Sequence, residues 1–289
     1  MGKDNTLSVC RCNRLFEEET LHPLASVIKL QKPCSEKQIC PNCYAVTFAE
    51  YKANEFKYGR KPYDYSDATM LFSAPGKPID TDICRDGALL LFHPDLIRCT
   101  CLGQKINDYT YFLYKANEAL HLSCREKECI QHCINDIDKE LNWGVDRFTK
   151  TLINNKIETL LNYSLRFYNR QFITRHDANS KSIKKITNLL DEYLLSGKAS
   201  SGIMPTAHCF APKMSMSAAY LDDMLQHETG KDTVDYVNMR RIILAKAQLM
   251  DTRKSVTEIA DTLGFCNATC FSSLFKKITG CEPECYRMQ

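Results

Sequence analysis

The sequence predicts an α+β protein whose N-terminal half is built around a β-structure and whose C-terminal part is entirely helical. In the first half, short apolar stretches alternate with clusters of Pro, Gly, Asp and Lys, which is typical of strands joined by turns. Farther along the chain, apolar residues recur at helical spacing. One helical pattern near the C-terminus occurs twice, which indicates a duplicated structural unit.

The predicted elements of the N-terminal half follow its apolar stretches. Strands are predicted at residues 21–30, 44–51, 68–74 and 87–92, as parts of a small sheet or barrel. Helices are predicted at residues 118–141 and 146–172. The polar stretch 174–182 is predicted to be a linker. The sequence therefore divides into a first domain at residues 1–175 and a second at residues 183–289.

The clearer copy of the repeat lies at residues 255–280. Ser255 and Glu258 have the spacing of a capping box, in which each side chain satisfies a backbone donor of the other residue. Gly264 suits a tight turn, Asn267 can cap a second helix, and Gly280 suits the left-handed position after its last turn. The apolar stripe of the second helix is predicted to be Phe271, Leu274, Phe275 and Ile278.

The other copy lies at residues 205–230, with Ser217 in the place of Asn267 and Gly230 in the place of Gly280. A helix is predicted between the copies at residues 234–250. Each copy describes two short helices joined by a turn, and a helix has the width to enter a DNA major groove. The candidate DNA-contacting residues are those on the polar face of each second helix: Ala219, Asp222, Asp223 and Gln226 in the first copy, and Asn267, Thr269, Cys270, Ser272, Ser273, Lys276 and Lys277 in the second.

The last third of the chain resembles the AraC family of bacterial transcription regulators. The resemblance is carried by residues that include Tyr220, Leu221, Glu228, Thr229, Gly230, Lys231, Arg241, Ser255, Glu258, Ile259, Ala260, Leu263, Gly264, Phe265, Phe271, Leu274, Phe275, Lys276, Lys277, Thr279, Gly280 and Pro283. It implies a cupin-like sensor barrel followed by a dimerising helix pair in the N-terminal half. Residues 58–70 and 92–97 look like the version of this domain common in the Bacteroides group. The partners that the resemblance implies are operator DNA, a second copy of the chain and an unidentified small effector, with RNA polymerase as a further candidate.

Two features predict modest DNA affinity. Asp222 and Asp223 place carboxylates on the face that would approach phosphates, and this weakens binding. Residues 181–289 carry 14 Lys and Arg against 12 Asp and Glu, which is not a strongly basic surface. We therefore expect the second helix pair to contribute more than the first. A protein-interaction module with weakened DNA binding is an alternative.

The sequence predicts no enzyme and no cofactor. The seven histidines are scattered, and no nucleophile elbow, P-loop or dinucleotide-binding glycine motif occurs. No apolar run is long enough for a membrane span and no export signal is visible, so a cytoplasmic location is expected. Tyr58, Tyr63 and Tyr65 are candidates for lining an effector pocket in the N-terminal domain.

Sixteen cysteines leave a further alternative open, that of a thiol- or metal-responsive regulator. Cys266, Cys270, Cys281 and Cys285 cluster in the second helix pair, while Cys40 and Cys43 form a lone C-x-x-C. The spacing specifies no tetrahedral metal site, so no metal ligands are predicted. We favour the interpretation that these cysteines are packing residues or exposed thiols of no special reactivity.

Overall fold

A computed structural model describes residues 6–30, 34–50, 58–81, 87–201, 204–251 and 253–288. The chain forms two compact units, unit 1 (Met1–Arg175) and unit 2 (His176–Gln289). Unit 1 combines a sheet with helices and unit 2 is helical, so the predicted α+β class is confirmed. None of the helices in the described ranges is long and apolar enough to cross a membrane.

The centre of unit 1 is an antiparallel sheet of five strands in the order β1-β6-β3-β4-β7. A separate antiparallel pair is formed by β2 and β5. The strand bounds are β1 (Ala25–Lys29), β2 (Gln38–Ile39), β3 (Tyr44–Ala49), β4 (Ala68–Ser73), β5 (Ile79–Asp80), β6 (Gly87–Phe92) and β7 (Leu120–Leu122). The four predicted strands correspond to β1, β3, β4 and β6. The three shorter strands were not predicted, and β7 lies where a helix was predicted to begin at residue 118.

The helices of unit 1 cover both faces of this sheet. They are α1 (Val9–Leu15), α2 (Pro94–Ile97), α3 (Cys101–Lys105), α4 (Cys124–Asn142) and α5 (Thr149–Thr174). On one face, Leu90 and Phe92 of β6 share a core with Ile134 of α4 and Ile157 of α5. On the other face, Leu89 and Leu91 pack with residues of α1 and of the β2–β5 pair. Alternate residues of a strand point to opposite faces, so β6 is buried on both sides.

The sheet of unit 1 is not the closed barrel that the resemblance implied. In the described residues, β1 pairs with β6 alone and β7 pairs with β4 alone, so these two strands are the edges of an open sheet. The helices α4 and α5 cover one face of this sheet, and α1 with the β2–β5 pair covers the other. The sheet is therefore present in the predicted place, but in the described residues it is an open sheet.

Unit 2 consists of seven helices in its described residues, together with a 3-10 turn at Lys198–Ser201. They are α6 (His176–Leu195), α7 (Ala207–Met214), α8 (Ala218–Thr229), α9 (Thr233–Asp251), α10 (Val256–Thr262), α11 (Ala268–Thr279) and α12 (Pro283–Arg287). Residues 176–182, predicted as a linker, form the first turns of α6. His176, Asp177 and Lys181 are exposed there and Asn179 is buried, while Ile186, Leu190 and Leu194 of the same helix are buried. The polar stretch is therefore helical and not a break in structure.

Candidate nucleic-acid interface

The second helix pair of unit 2, α10 and α11, has the caps that its sequence predicts. The backbone N–H of Ser255 donates to Oε2 of Glu258 at 2.6 Å, and the N–H of Glu258 donates to Oγ of Ser255 at 3.2 Å. The N–H of Cys270 donates to Oδ1 of Asn267 at 2.7 Å, so Asn267 caps α11. Gly280 follows α11 with φ of 85°, the left-handed conformation that ends many helices.

A small aromatic core holds α11 in place. Phe271 and Phe275 are fully buried, and their rings contact those of Phe265 and Tyr286 at centroid distances of 5.1 and 5.5 Å. Ile278, predicted in the same apolar stripe, is instead 44% exposed because it lies in the last turn, beyond this core. The buried face orients the opposite, polar face of α11 toward solvent.

Arg241 of α9 fixes the turn between α10 and α11. Its Nε donates to the carbonyl of Leu263 at 2.9 Å, and its guanidinium lies 3.5 Å from the centre of the Phe265 ring. Burial lowers the pKa of Arg241 to about 10, so the side chain remains a cation at neutral pH. Arg241 belongs to the family pattern, but this structural role was not predicted from the sequence, because the contacts join α9 to residues more than twenty positions away in the turn.

The first helix pair, α7 and α8, repeats this construction. The N–H of Tyr220 donates to Oγ of Ser217 at 3.1 Å, and Gly230 adopts φ of 69° after α8. Leu221, Met224 and Leu225 are fully buried on the inner face of α8. Both copies therefore present a capped, amphipathic second helix whose polar face is turned outward.

The predicted DNA-contacting residues differ in exposure between the two copies. On α11 and its cap, Asn267, Thr269, Cys270, Ser273, Lys276 and Lys277 are exposed and Ser272 is partly buried. On α8, Gln226 is exposed, whereas Ala219, Asp222 and Asp223 are partly buried. The more open polar face thus belongs to α11.

Two acids of α8 are engaged in contacts inside unit 2. Oδ1 of Asp222 accepts the backbone N–H of Thr233 at 2.8 Å, which caps the start of α9. Glu228 is almost fully buried and accepts hydrogen bonds from Nδ1 of His176 at 2.6 Å and from Nδ2 of Asn179 at 2.9 Å. Sequence reasoning treated Asp222 only as a charge facing DNA, because a cap supplied from another helix leaves no local signal.

The two lysines of α11 have different surroundings. Nζ of Lys276 lies 2.9 Å from Oε1 of Glu282, and this hydrogen bond raises the pKa of Lys276. Lys277 is exposed and makes no ion pair with any side chain of the described ranges. Lys277 is therefore the more available of the two for a phosphate.

The cysteines of unit 2 do not form a metal site. Cys266, Cys270 and Cys285 are exposed and Cys281 is partly buried. Across the part of the chain that the structure describes, no three His, Cys, Asp or Glu side chains converge on a position suited to a metal ion. Cys266 raises the pKa of the Cys270 thiol.

The three tyrosines proposed for an effector pocket lie at the surface of unit 1. Tyr63 is 50% exposed and Tyr65 is 43% exposed, while Tyr58 is partly buried beside the core that contains Leu89. The guanidinium of Arg170 lies 4.6 Å from the centre of the Tyr65 ring. Their part in ligand binding stays a prediction.

Unit 1 also contains a buried polar network that sequence reasoning missed. Nη2 of Arg175 lies 2.7 Å from Oδ2 of Asp64 in an ion pair that is almost fully buried. His121 contacts Oγ1 of Thr69 through Nδ1 at 3.0 Å, and its backbone N–H donates to Oε1 of Gln171. Burial, with Arg175 as the next cause, lowers the pKa of His121 to about 4. These partners are far apart in the chain, so no local pattern could have predicted the network.

The chain is similar to known transcription regulators over its C-terminal region. A family model described as a helix-turn-helix domain matches residues 210–289. The helix-turn-helix-type transcriptional regulator YobQ of Bacillus subtilis is 35% identical over 69 residues, which are 24% of this chain and 29% of that protein. Regulatory protein SoxS of Escherichia coli is 32% identical over 77 residues, which are 27% of this chain and 72% of that protein.

Two further similarities extend this comparison. The arabinose operon regulatory protein of Escherichia coli is 22% identical over 222 residues, which cover 71% of this chain and 73% of that protein. The C-terminal domain of the response regulator yesN from Fusobacterium nucleatum is 29% identical and covers 36% of this chain and 97% of that structure, with a TM-score of 0.31. Together with the caps and turns of its two helix pairs, the similarity to SoxS establishes that the chain belongs to the AraC/SoxS family of DNA-binding transcription regulators.

Proposed function

We propose that the protein is a sequence-specific DNA-binding transcription regulator that inserts α8 and α11 into successive major grooves. The observation that carries this proposal is the duplicated helix pair. In both copies a side-chain cap starts the second helix, a left-handed glycine ends it, and a buried stripe turns the polar face outward. A helix held in this way has the geometry to present side chains to base edges.

The proposed contacts assign different roles to the residues of α11. Thr269 and Ser273 are exposed hydroxyls that suit hydrogen bonds to base edges. Lys277 is an exposed cation that suits a DNA phosphate. Lys276 can bind a second phosphate if its ion pair with Glu282 opens. The proposed DNA-contacting surface of α11 also includes Asn267, Cys270 and Ser272. On α8 the proposed contacts come from Ala219, Asp222, Asp223 and Gln226, and Oδ1 of Asp222 also accepts the N–H of Thr233 in α9.

Unit 1 is proposed to sense a small effector and to join two copies of the chain. We assign these roles to residues 1–175 and DNA binding to residues 183–289, with the first turns of α6 belonging structurally to unit 2. The relatives are transcription regulators. We propose that this protein is likewise a regulator, that it catalyses no reaction, and that it binds DNA in the cytoplasm. RNA polymerase is a further partner in this proposal.

Selection of bound duplexes from a random library, with the full chain, tests DNA binding directly. We expect recovery of a defined motif. Thr269→Ala should change the base preferred at one position, whereas Thr257→Ala, a matched change at an exposed threonine of α10, should leave the motif unchanged. Recovery of no motif by the reduced, folded protein would exclude sequence-specific binding.

A further inference from the structure

The carboxylate of Glu228 joins two helices of unit 2. Its Oε2 lies 2.6 Å from Nδ1 of His176, and its Oε1 accepts a hydrogen bond from Nδ2 of Asn179 at 2.9 Å. His176 and Asn179 lie in the first turn of α6, whereas Glu228 lies in the last turn of α8. The Glu228 side chain is only 5% exposed, and Asn179 is buried. We call these three residues the α6–α8 clamp.

Glu228 occupies a position on α8 that suits an apolar residue. It follows Leu221 by seven residues, Met224 by four and Leu225 by three, which is the spacing of one helix face. Those three side chains are buried. A carboxylate on this face loses its water, and this costs free energy unless its partners replace the lost hydrogen bonds. The dipole of α8 disfavours a negative charge at its end, whereas the dipole of α6 favours one at its start. The contact with α6 therefore accounts for the carboxylate.

A second polar contact holds α8 from another direction. Oδ1 of Asp222 accepts the N–H of Thr233 in α9 at 2.8 Å. Asp222 and Glu228 are six residues apart, so their side chains leave α8 about 120° apart around its axis. Apolar packing is non-directional, whereas a hydrogen bond requires a particular distance and angle. Together the two carboxylates therefore fix the rotation of α8 about its axis and the direction in which its polar face points.

We propose that the α6–α8 clamp is a positioning element for DNA reading, which sets the orientation in which α8 presents Gln226 and its neighbours to the bases. This inference rests on the proposed function, since it names residues that determine specificity at the same DNA-binding surface. The clamp residues act through the placement of α8 and not by contact with DNA. The chain enters unit 2 at His176, so the clamp connects the start of this unit to one of its two reading helices.

The test removes the clamp while keeping the helix contact apolar. The double variant Glu228→Leu with Asn179→Ala replaces the buried carboxylate and its buried partner, a kind of change that is often neutral for stability. Hydroxyl-radical footprinting of the full chain, on a duplex selected by the parent, follows the DNA elements contacted by α8 and α11 separately. We expect the double variant to lose protection of the α8 element and to keep that of the α11 element. Affinity should fall about tenfold, on the scale of a lost base contact.

Matched variants separate positioning from a general loss of stability. Glu228→Gln keeps the size and the hydrogen-bonding capacity of the side chain and should restore the α8 element. Asp191→Asn breaks a different ion pair of α6, whose Oδ2 lies 2.6 Å from Nη2 of Arg240 in α9, and should leave both elements protected. Urea unfolding of each variant confirms that it is folded under the conditions of the footprint.

His176→Ala provides a second route if the double variant does not fold. The His176 side chain is 67% exposed, so its removal leaves the core intact and should still weaken protection of the α8 element. The proposal is overturned if the folded double variant or His176→Ala protects both elements as the parent does, or if Asp191→Asn has the same effect as the double variant. If the parent itself selects no duplex or protects only one element, the proposed insertion of α8 fails and the positioning role fails with it.

Discussion

The carboxylate of Asp222 serves the fold although it lies on a helix proposed to face DNA. It accepts the N–H of Thr233 at the start of α9, where a negative charge also complements the helix dipole. Asp222→Ala should lower the free energy of unfolding by about 1 kcal/mol, the usual effect of losing a cap. Asp222→Asn keeps an acceptor and should cost less. Urea unfolding of both variants, with Gln226→Ala as an exposed control on α8, measures the difference. Equal losses for Ala and Asn would show that the charge, and not the hydrogen bond, stabilises α9.

The two lysines of α11 should differ in their effect on DNA binding. Lys277→Ala should weaken binding to all duplexes and reduce the slope of log affinity against log salt by about 1, because one phosphate contact is lost. Lys276→Ala should have a smaller effect, since its amine is already paired with Glu282. Glu282→Gln removes that competitor and should strengthen binding. Titrations at several salt concentrations measure these slopes, and an unchanged slope for Lys277→Ala would place that side chain away from the backbone of DNA.

The buried His121 should make unit 1 sensitive to acid. Its pKa is lowered to about 4 in the folded chain, mainly by burial, whereas an unfolded histidine titrates near 6.5. As the pH falls, His121 therefore takes up a proton in the unfolded chain before it does so in the folded chain. The contribution of neutral, buried His121 to the free energy of unfolding is complete above pH 6.5 and is lost as the pH falls toward 4. The loss is about 3 kcal/mol over this window. Urea unfolding at pH 7 and pH 4.5 should show a weaker pH dependence for His121→Gln than for the parent chain. The exposed His132→Gln is the control, and its pH dependence should match that of the parent.

The turn between α10 and α11 depends on a glycine for two reasons. Gly264 has φ of 73°, and a Cβ added there would lie 2.3 Å from the carbonyl oxygen of Ala199. Gly280 has a similar φ of 85°, but a Cβ there would meet no atom within 4 Å. Gly280→Ala should therefore cost about 1 kcal/mol from backbone strain alone, and Gly264→Ala should cost clearly more. Thermal unfolding of the two variants compares their losses of stability directly. Similar losses would mean that the backbone at Ala199 can move away from the added Cβ with little loss of free energy.

How well an element could be predicted from sequence depends on where its partners lie. The caps of α10 and α11 were predicted because Ser255, Glu258 and Asn267 bond to groups three residues away. The longer strands were predicted because each is a mainly apolar or aromatic stretch of five or six residues. The strands β2, β5 and β7 have two or three residues each and leave no such pattern. The proposed DNA-binding surface could also be predicted only where its contacts are local in sequence. The exposed face of α11 follows from helical periodicity. The hydrogen bond from Thr233 to Asp222 and the contact of Arg241 with Phe265 depend on tertiary packing.

The whole chain should contact DNA twice. Successive major grooves on one side of a duplex lie about 34 Å apart, or one helical turn. With α8 and α11 in adjacent grooves, each protomer should protect two short elements about ten base pairs apart in direct orientation. Hydroxyl-radical footprinting on a selected duplex measures this spacing. Protection of a single element would show that α8 does not engage DNA, and loss of the element nearer one end in a Gln226→Ala variant would assign that element to α8.

The ion pair between Asp64 and Arg175 joins two residues that are 111 positions apart in the chain. Gln171 likewise contacts the backbone of His121, and Tyr111 donates to the carbonyl of Leu161. A ribosome makes the chain from its N-terminus, so the strands of unit 1 exist for some time before α5 is available to cover them. Their apolar face stays exposed to other proteins during that interval. The folding of unit 1 therefore depends, at each synthesis, on the timely arrival of α5, and a pause in translation before residue 175 should raise the share of molecules that aggregate or require a chaperone.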